Sequence, residues 1–251
     1  MNEETKTKLK RNNYLFIFFV FGFCVSTLLI IIFELSWDGV CKAIGFEKGI
    51  KRELIECFLR AALIEETFKF LGFMLARRKY KISRVSDSMF AAGCIGLMYA
   101  IVEKAVLFNP MAIIINIFIP MHLTWQWNQG RHYQISKDYK KSGKKGKAFL
   151  HLMLATLLIF ILHGSWDALI SIGAYLIDSE NSGVIANADI IGGVILGVTI
   201  LAGLIYTIIS LIITIKTARK EKREYMLETS NKEIYIVETI ENKDTTTEEK
   251  A

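Results

Sequence analysis

The segment 54–76 constrains the fold more than any other part of the sequence. It reads LIECFLRAALIEETFKFLGFMLA. About 20 residues at about 1.5 Å each cover the ~30 Å hydrocarbon core of a bilayer, so this segment is long enough and apolar enough to cross a membrane. Besides Glu56 near its start, four charged side chains nevertheless interrupt it: Arg60, Glu65, Glu66 and Lys69.

These charges make the segment too costly to insert as an isolated helix. A charged side chain near the helix centre costs about 2.5–3.5 kcal/mol, so the four together cost roughly 10 kcal/mol. The eleven Leu, Ile and Phe residues of the segment return only about 5 kcal/mol. The helix therefore needs partner helices. Its ionisable residues should face the interior of a bundle or a watery cavity, where such residues indicate function by default.

Composition and charge distribution indicate a polytopic membrane protein. Hydrophobic residues make up 52% of the 251 residues, which is typical of a membrane protein and not of a soluble domain of this size. The net charge of +6 does not indicate nucleic-acid binding, because the basic residues lie between apolar runs. The four cysteines form no closely spaced pair, so we interpret them as packing residues and not as a disulfide framework or zinc site.

Six apolar segments predict an all-α fold, a polytopic membrane helix bundle of about six transmembrane helices. Their approximate bounds are 14–33, 54–76, 88–108, 111–127, 148–177 and 190–215. Pro120 should bend the fourth helix, and the sequence leaves open whether the fifth is broken near Gly164. We divide the chain into a cytoplasmic N-terminus, a transmembrane domain and a charged tail that we expect to be mostly disordered, with bounds 1–13, 14–216 and 217–251.

Basic residues predict the orientation of these helices. The N-terminus, the segments 76–87 and 131–147 and the start of the tail hold 21 Lys and Arg residues, whereas the opposite face holds about four. Loops rich in Lys and Arg stay on the cytoplasmic side. We therefore expect a multi-pass protein of the cell membrane, embedded in the lipid bilayer, with both termini cytoplasmic and 131–147 as a solvated loop.

Ionisable residues of four predicted helices fall at similar depths, between the bilayer midplane and its outer third. They are Glu65, Glu66, Lys69, Glu103, His122, His163 and Asp167. The pairs Glu65–Lys69 and His163–Asp167 are each four residues apart and share a helix face, whereas Glu66 points about 100° away. Carboxylates and imidazoles are the usual general bases, so such a set can activate a water molecule.

Each of these residues also has a simpler interpretation. Glu65 with Lys69 can be only a neutralised intramembrane pair, and Glu103 can extend to interfacial water. A proton- or ion-coupled transporter places similar groups at mid-depth, although the sequence lacks the repeat signal that many transporters show. A non-catalytic membrane factor of the same fold is a further alternative. The conjunction of these groups at one depth favours a catalytic site.

Four motifs, in their order along the chain, resemble those of the PrsW-type intramembrane proteases, relatives of the CAAX prenyl endopeptidase and bacteriocin-processing protease superfamily. They are EExxK at 65–69, an aromatic-xxx-Glu at 99–103, His122 followed by Gly130, and HxxxD at 163–167. The resemblance covers about residues 64–167. Tyr99 stands where the family commonly has Phe, and Asp167 stands where relatives often have Asn.

The resemblance implies a membrane-embedded peptidase that hydrolyses a peptide bond of a membrane-anchored protein, such as an anti-sigma factor, with no nucleic-acid partner. We hypothesise that Glu65 or Glu66, near Lys69, is the base that deprotonates water. Glu103 and His122 would position that water.

His163, oriented by Asp167, would act as oxyanion donor or as metal ligand. Two chemistries stay open. A zinc ion held by Glu103, His122 and His163 would lower the pKa of its bound water to around 7. Alternatively the glutamate and histidine would act without a metal.

Overall fold

The computed structural model confirms an all-α fold, since its described residues are helical apart from short turns and include no strand. Those residues are 39–45, 49–80, 82–106, 120–178 and 187–248, with single positions before residue 39. Most of the first predicted span, the turn at Pro110 and the start of the fourth predicted span lie outside them.

Six α-helices and one π-helical segment make up the described chain. In order they are α1 (Ile50–Glu56), the π segment (Cys57–Ile64), α2 (Glu65–Tyr80), α3 (Val85–Val106), α4 (Met121–Lys141), α5 (Lys145–Ile177) and α6 (Ala188–Glu248). Parts of α3, α5 and α6 are long and apolar enough to cross a membrane: Val85–Glu103, Lys145–Ile177 and Ala188–Glu224. They correspond to the predicted third, fifth and sixth spans, and together with the helical content they confirm a membrane helix bundle.

The charged second segment is one continuous run of α1, the π segment and α2. The π segment packs on α5, where a Cβ added at Gly164 would lie 2.4 Å from the Phe58 ring. Glycine at this position therefore lets the two helices approach closely, and α5 continues unbroken through it. Single π turns inside α-helices frequently occur at functional sites, and this one ends directly before Glu65.

Helices α3 and α4 approach each other at two glycines. A Cβ added at Gly96 would lie 2.3 Å from the backbone oxygen of His122, and one added at Gly130 would lie 2.3 Å from that of Ser88. Only a residue without a side chain fits at either point. The close crossing places the first turns of α4 directly against α3.

The predicted solvated loop at 131–147 is wrong. Helix α4 continues to Lys141, a turn with Gly143 at φ +76° follows, and α5 begins at Lys145. This helix has an exposed face, which holds Lys140 and Lys141, and a buried face, whose polar side chains are satisfied by neighbouring helices. The Gln134 side chain accepts a hydrogen bond from Arg77 at 2.6 Å, and the Ser136 hydroxyl donates to the Ala148 carbonyl at 2.6 Å.

Helix α6 continues to Glu248, and the expected disorder of the tail stays a prediction. Residues 212–251 form a compact unit of their own. Charges of opposite sign four residues apart support an exposed helix, and Lys220 contacts Glu224 in this way at 3.7 Å. The bounds 14–216 and 217–251 stay predictions.

We predict that Gly96→Ala destabilises the protein whereas Gly197→Ala does not. Both changes remove a helical glycine, which favours the helix by about 1 kcal/mol. Overlap with backbone at Gly96 costs about 1–3 kcal/mol, while a Cβ at Gly197 meets no atom of the described chain beyond its own helix within 4 Å. Thermal unfolding in detergent measures both variants. A Gly96→Ala variant as stable as Gly197→Ala would contradict the close crossing.

Candidate active site

Four helices bring the predicted site residues into one cluster. Helix α2 supplies three of them, α3 and α4 one each, and α5 two: Glu65, Glu66, Lys69, Glu103, His122, His163 and Asp167. Glu65 and Asp167, 102 positions apart in sequence, are therefore joined by a series of contacts that passes through Lys69, Glu66 and His163 in turn.

The Lys69 ammonium is the centre of this cluster. Its Nζ donates to Glu66 Oε1 at 2.9 Å, to Glu65 Oε2 at 3.2 Å and contacts His122 Nδ1 at 3.1 Å. An ammonium has three hydrogens and no acceptor, so all three are used and His122 Nδ1 must accept. The Nε2 atom of that ring then carries the proton and lies 3.1 Å from Glu103 Oε2.

Glu66 is anchored on all sides. Besides Lys69, its Oε1 accepts from His163 Nδ1 at 2.9 Å, and its Oε2 accepts from Gln126 Nε2 at 2.5 Å. The side chain is buried, as are those of all three partners. A carboxylate held this way fixes the geometry of its neighbours and has little freedom to react.

His163 lies between two carboxylates. Its Nδ1 faces Glu66, and its Nε2 faces Asp167 Oδ2 at 3.2 Å. An imidazolium satisfies both contacts, because both of its ring nitrogens carry hydrogen. The Trp125 ring packs against it with centroids 4.6 Å apart and planes 32° apart. The imidazole is thus fixed in both position and plane.

The cluster is more open on the side of Glu65 than on the side of Glu66. The Glu65 side chain is 16% exposed and that of Asp167 is 32% exposed, against 5% for Glu66. Of the two adjacent glutamates, Glu65 is therefore the more exposed. The sequence left open which of them acts as base, and burial separates them.

Three side chains could hold a metal ion. Glu65, His122 and His163 each offer a ligand atom, and these atoms lie within 4.8 Å of one another. One carboxylate and two imidazoles are a donor set that catalytic zinc accepts. Each imidazole also contacts a carboxylate through Nε2, from Glu103 and Asp167 respectively, as metal-binding histidines commonly do. The donor set present therefore fits a metal ion, which His163 would bind as a neutral imidazole, without the second ring proton that its two carboxylate contacts favour.

This set differs from the predicted ligands in one member. The sequence suggested Glu103 with the two histidines, whereas the structure groups Glu65 with them and places Glu103 against His122. Depth along each helix could be counted from the sequence. The rotation of α3 about its axis, which decides where Glu103 points, could not.

Sequence reasoning missed two residues of the site, Gln126 and Trp125. Gln126 donates to Glu66, and Trp125 packs on His163 and edge-on against His122, with centroids 5.4 Å apart in the second case. They follow His122 by four and three residues, and this spacing puts all three on one face of α4. That periodicity was the available signal.

Comparison with known proteins identifies the family. The family model described as PrsW family intramembrane metalloprotease matches residues 10–202, a range that includes every residue of the cluster. The chain belongs to the PrsW family. This membership supports a protease function and a location in the membrane. No curated protein and no solved structure matches the chain significantly.

We predict that Glu66→Gln destabilises this PrsW-family protein more than Glu65→Gln. Removing the charge of Glu66 leaves buried Lys69 and His163 without their shared partner, and breaking a buried ion pair costs about 3–5 kcal/mol. Glu65 is more exposed and makes a longer contact with Lys69. Thermal unfolding of the two purified variants measures the difference, and equal stability would contradict the structural role of Glu66.

Proposed function

We propose that this protein hydrolyses a peptide bond of a membrane-anchored protein, such as an anti-sigma factor, at the cluster around Lys69. The observation that carries the proposal is the convergence of Glu65, His122 and His163 from three helices within 4.8 Å. Peptide hydrolysis needs a base for water, a group that stabilises the oxyanion and a site that water enters. The cluster offers each of these.

Glu65 is our candidate for the base, because it is the more exposed of the paired glutamates. It would take a proton from water and later give it to the leaving amine. His163 would donate to the oxyanion from Nε2, giving up for that step its contact with Asp167 Oδ2, which at 3.2 Å is the longer of its two carboxylate contacts. His122 presents a proton toward Glu103, and these two would position the attacking water.

A zinc ion, when bound, would lower the pKa of its water to about 7 and polarise the scissile carbonyl. Glu65, His122 and His163 would hold it, with Glu103 and Asp167 orienting the imidazoles. Lys69 contacts two of those three side chains, so its ammonium competes with a metal ion for them.

We propose that the chain crosses the membrane six times with both termini cytoplasmic. The proposal rests on the 21 Lys and Arg residues of one face against about four on the other. The cluster would then lie between the bilayer midplane and its outer third. A single-pass protein could present a bond to it from within the membrane or from the outer surface.

Cleavage by the reconstituted protein tests the catalytic proposal. Wild type in liposomes with a panel of single-pass membrane proteins should cut at least one of them. Glu65→Gln and His163→Ala should slow cleavage by about 10²–10⁴-fold, the usual contribution of a general acid or base. Glu53→Gln, on the exposed face of α1, and His132→Ala, in the second half of α4, are matched controls that should retain activity. Equal cleavage by all variants would contradict the proposal.

Zinc content tests which chemistry operates. If the metal route is correct, Lys69→Met should bind Zn²⁺ more tightly than wild type, by about tenfold or more, because a competing charge is removed. Elemental analysis and zinc titration of the purified variant measure this independently of activity. No zinc in either protein, with cleavage unchanged by chelator, would contradict the metal route and favour the glutamate–histidine route.

A further inference from the structure

Tyr99 of α3 touches two members of the proposed site, although the sequence placed it only as the aromatic position of a motif. The side chain is 3% exposed. The Lys69 Nζ lies 3.9 Å from the centroid of its ring, and the centroid of the His122 ring lies 5.6 Å from it.

The ring compensates for the loss of water around a buried cation. The three hydrogens of the Lys69 ammonium are directed to Glu65, Glu66 and His122, and the aromatic ring covers it at van der Waals distance. The face of an aromatic ring is negative. Its attraction for an ammonium is strongest when both are desolvated, as they are here.

We propose that Tyr99 is a positioning residue of the hydrolytic site, whose ring keeps the Lys69 ammonium between the two glutamates. This inference rests on the function proposed above. In this role Tyr99 holds the Lys69 ammonium in position beside Glu65, the proposed base, and does not contact the substrate.

A purely structural role for Tyr99 is the competing explanation, because the residue also packs on Val102. Ring fluorination separates the two roles. Successive fluorine atoms on a phenylalanine at position 99 withdraw electron density from the ring face and change its size little. The packing stays nearly constant while the attraction for Lys69 declines.

The experiment is a series with Tyr, Phe and mono-, di- and trifluorophenylalanine at position 99 of the full chain. From Tyr to Phe we expect kcat and KM each to stay within about twofold, because the ring contact with Lys69 is kept. From Phe to trifluorophenylalanine we expect kcat to fall about tenfold, with log kcat proportional to the number of fluorines. The melting temperature should decline in the same order.

Two controls make the series specific. The same substitutions at Phe73, a fully buried ring that packs with Phe70 and Tyr133, should give no graded fall in kcat. Repeating the Tyr99 series in a Lys69→Met background should abolish the slope of melting temperature against fluorine number, because the cation is absent.

The outcomes separate this proposal from the function itself. If wild type cleaves a substrate but kcat does not change with the number of fluorines at position 99, the role of Tyr99 is overturned and the protease proposal stands. Absence of cleavage by wild type contradicts the protease proposal. The melting slope and its dependence on Lys69 still decide the Tyr99 contact in that case. A slope that persists in the Lys69→Met background also overturns the proposal.

Discussion

One buried ammonium, shared by two carboxylates, makes the charged helix tenable inside a membrane protein. Lys69 is 1% exposed and contacts both Glu65 and Glu66. Burying such charges costs several kcal/mol for each ion, and the loss is recovered only when the geometry is good and the remaining hydrogen bonds are satisfied. Lys69, Glu66 and His163 meet that condition through one another and through Gln126.

The packing of the bundle follows from the need to satisfy these charges. Gly96 lets the backbone of α4 come into contact with α3 at His122. The first two turns of α4 thereby bring His122 and Gln126 to the Lys69–glutamate cluster. Gly164 does the same for α5 by accommodating Phe58 of the π segment. Transmembrane helices commonly associate through small residues that let their backbones approach closely, because lipid tails are as apolar as the side chains and the hydrophobic effect does not drive the helices together. In this chain it also assembles the site.

Sequence reasoning recovered the fold class and seven residues of the cluster, because both follow from counting residues along the chain. Apolar length gives the spans, and distance from a span end gives depth. Rotation about a helix axis does not follow from such counts, so Glu65 and not Glu103 joins the two histidines. The sequence predicted a loop at 131–147 because the segment is rich in charged residues. Its first eleven residues are instead helical, with Gln134 and Ser136 hydrogen-bonded to Arg77 and Ala148 on other helices. Those contacts depend on tertiary structure alone.

The most direct test of the account is a double-mutant cycle between Glu66 and His163, two residues 97 positions apart that contact each other at 2.9 Å. The free energies of unfolding of Glu66→Gln, His163→Gln and the double variant in mixed micelles give their coupling energy. Residues in direct contact within a polar network couple by about 0.5–3 kcal/mol, and we predict a value of at least about 1 kcal/mol for this buried pair. The same cycle with His151, which contacts His132 at the other end of α5, should give none. Additive effects of Glu66→Gln and His163→Gln would contradict the convergence on which the site depends.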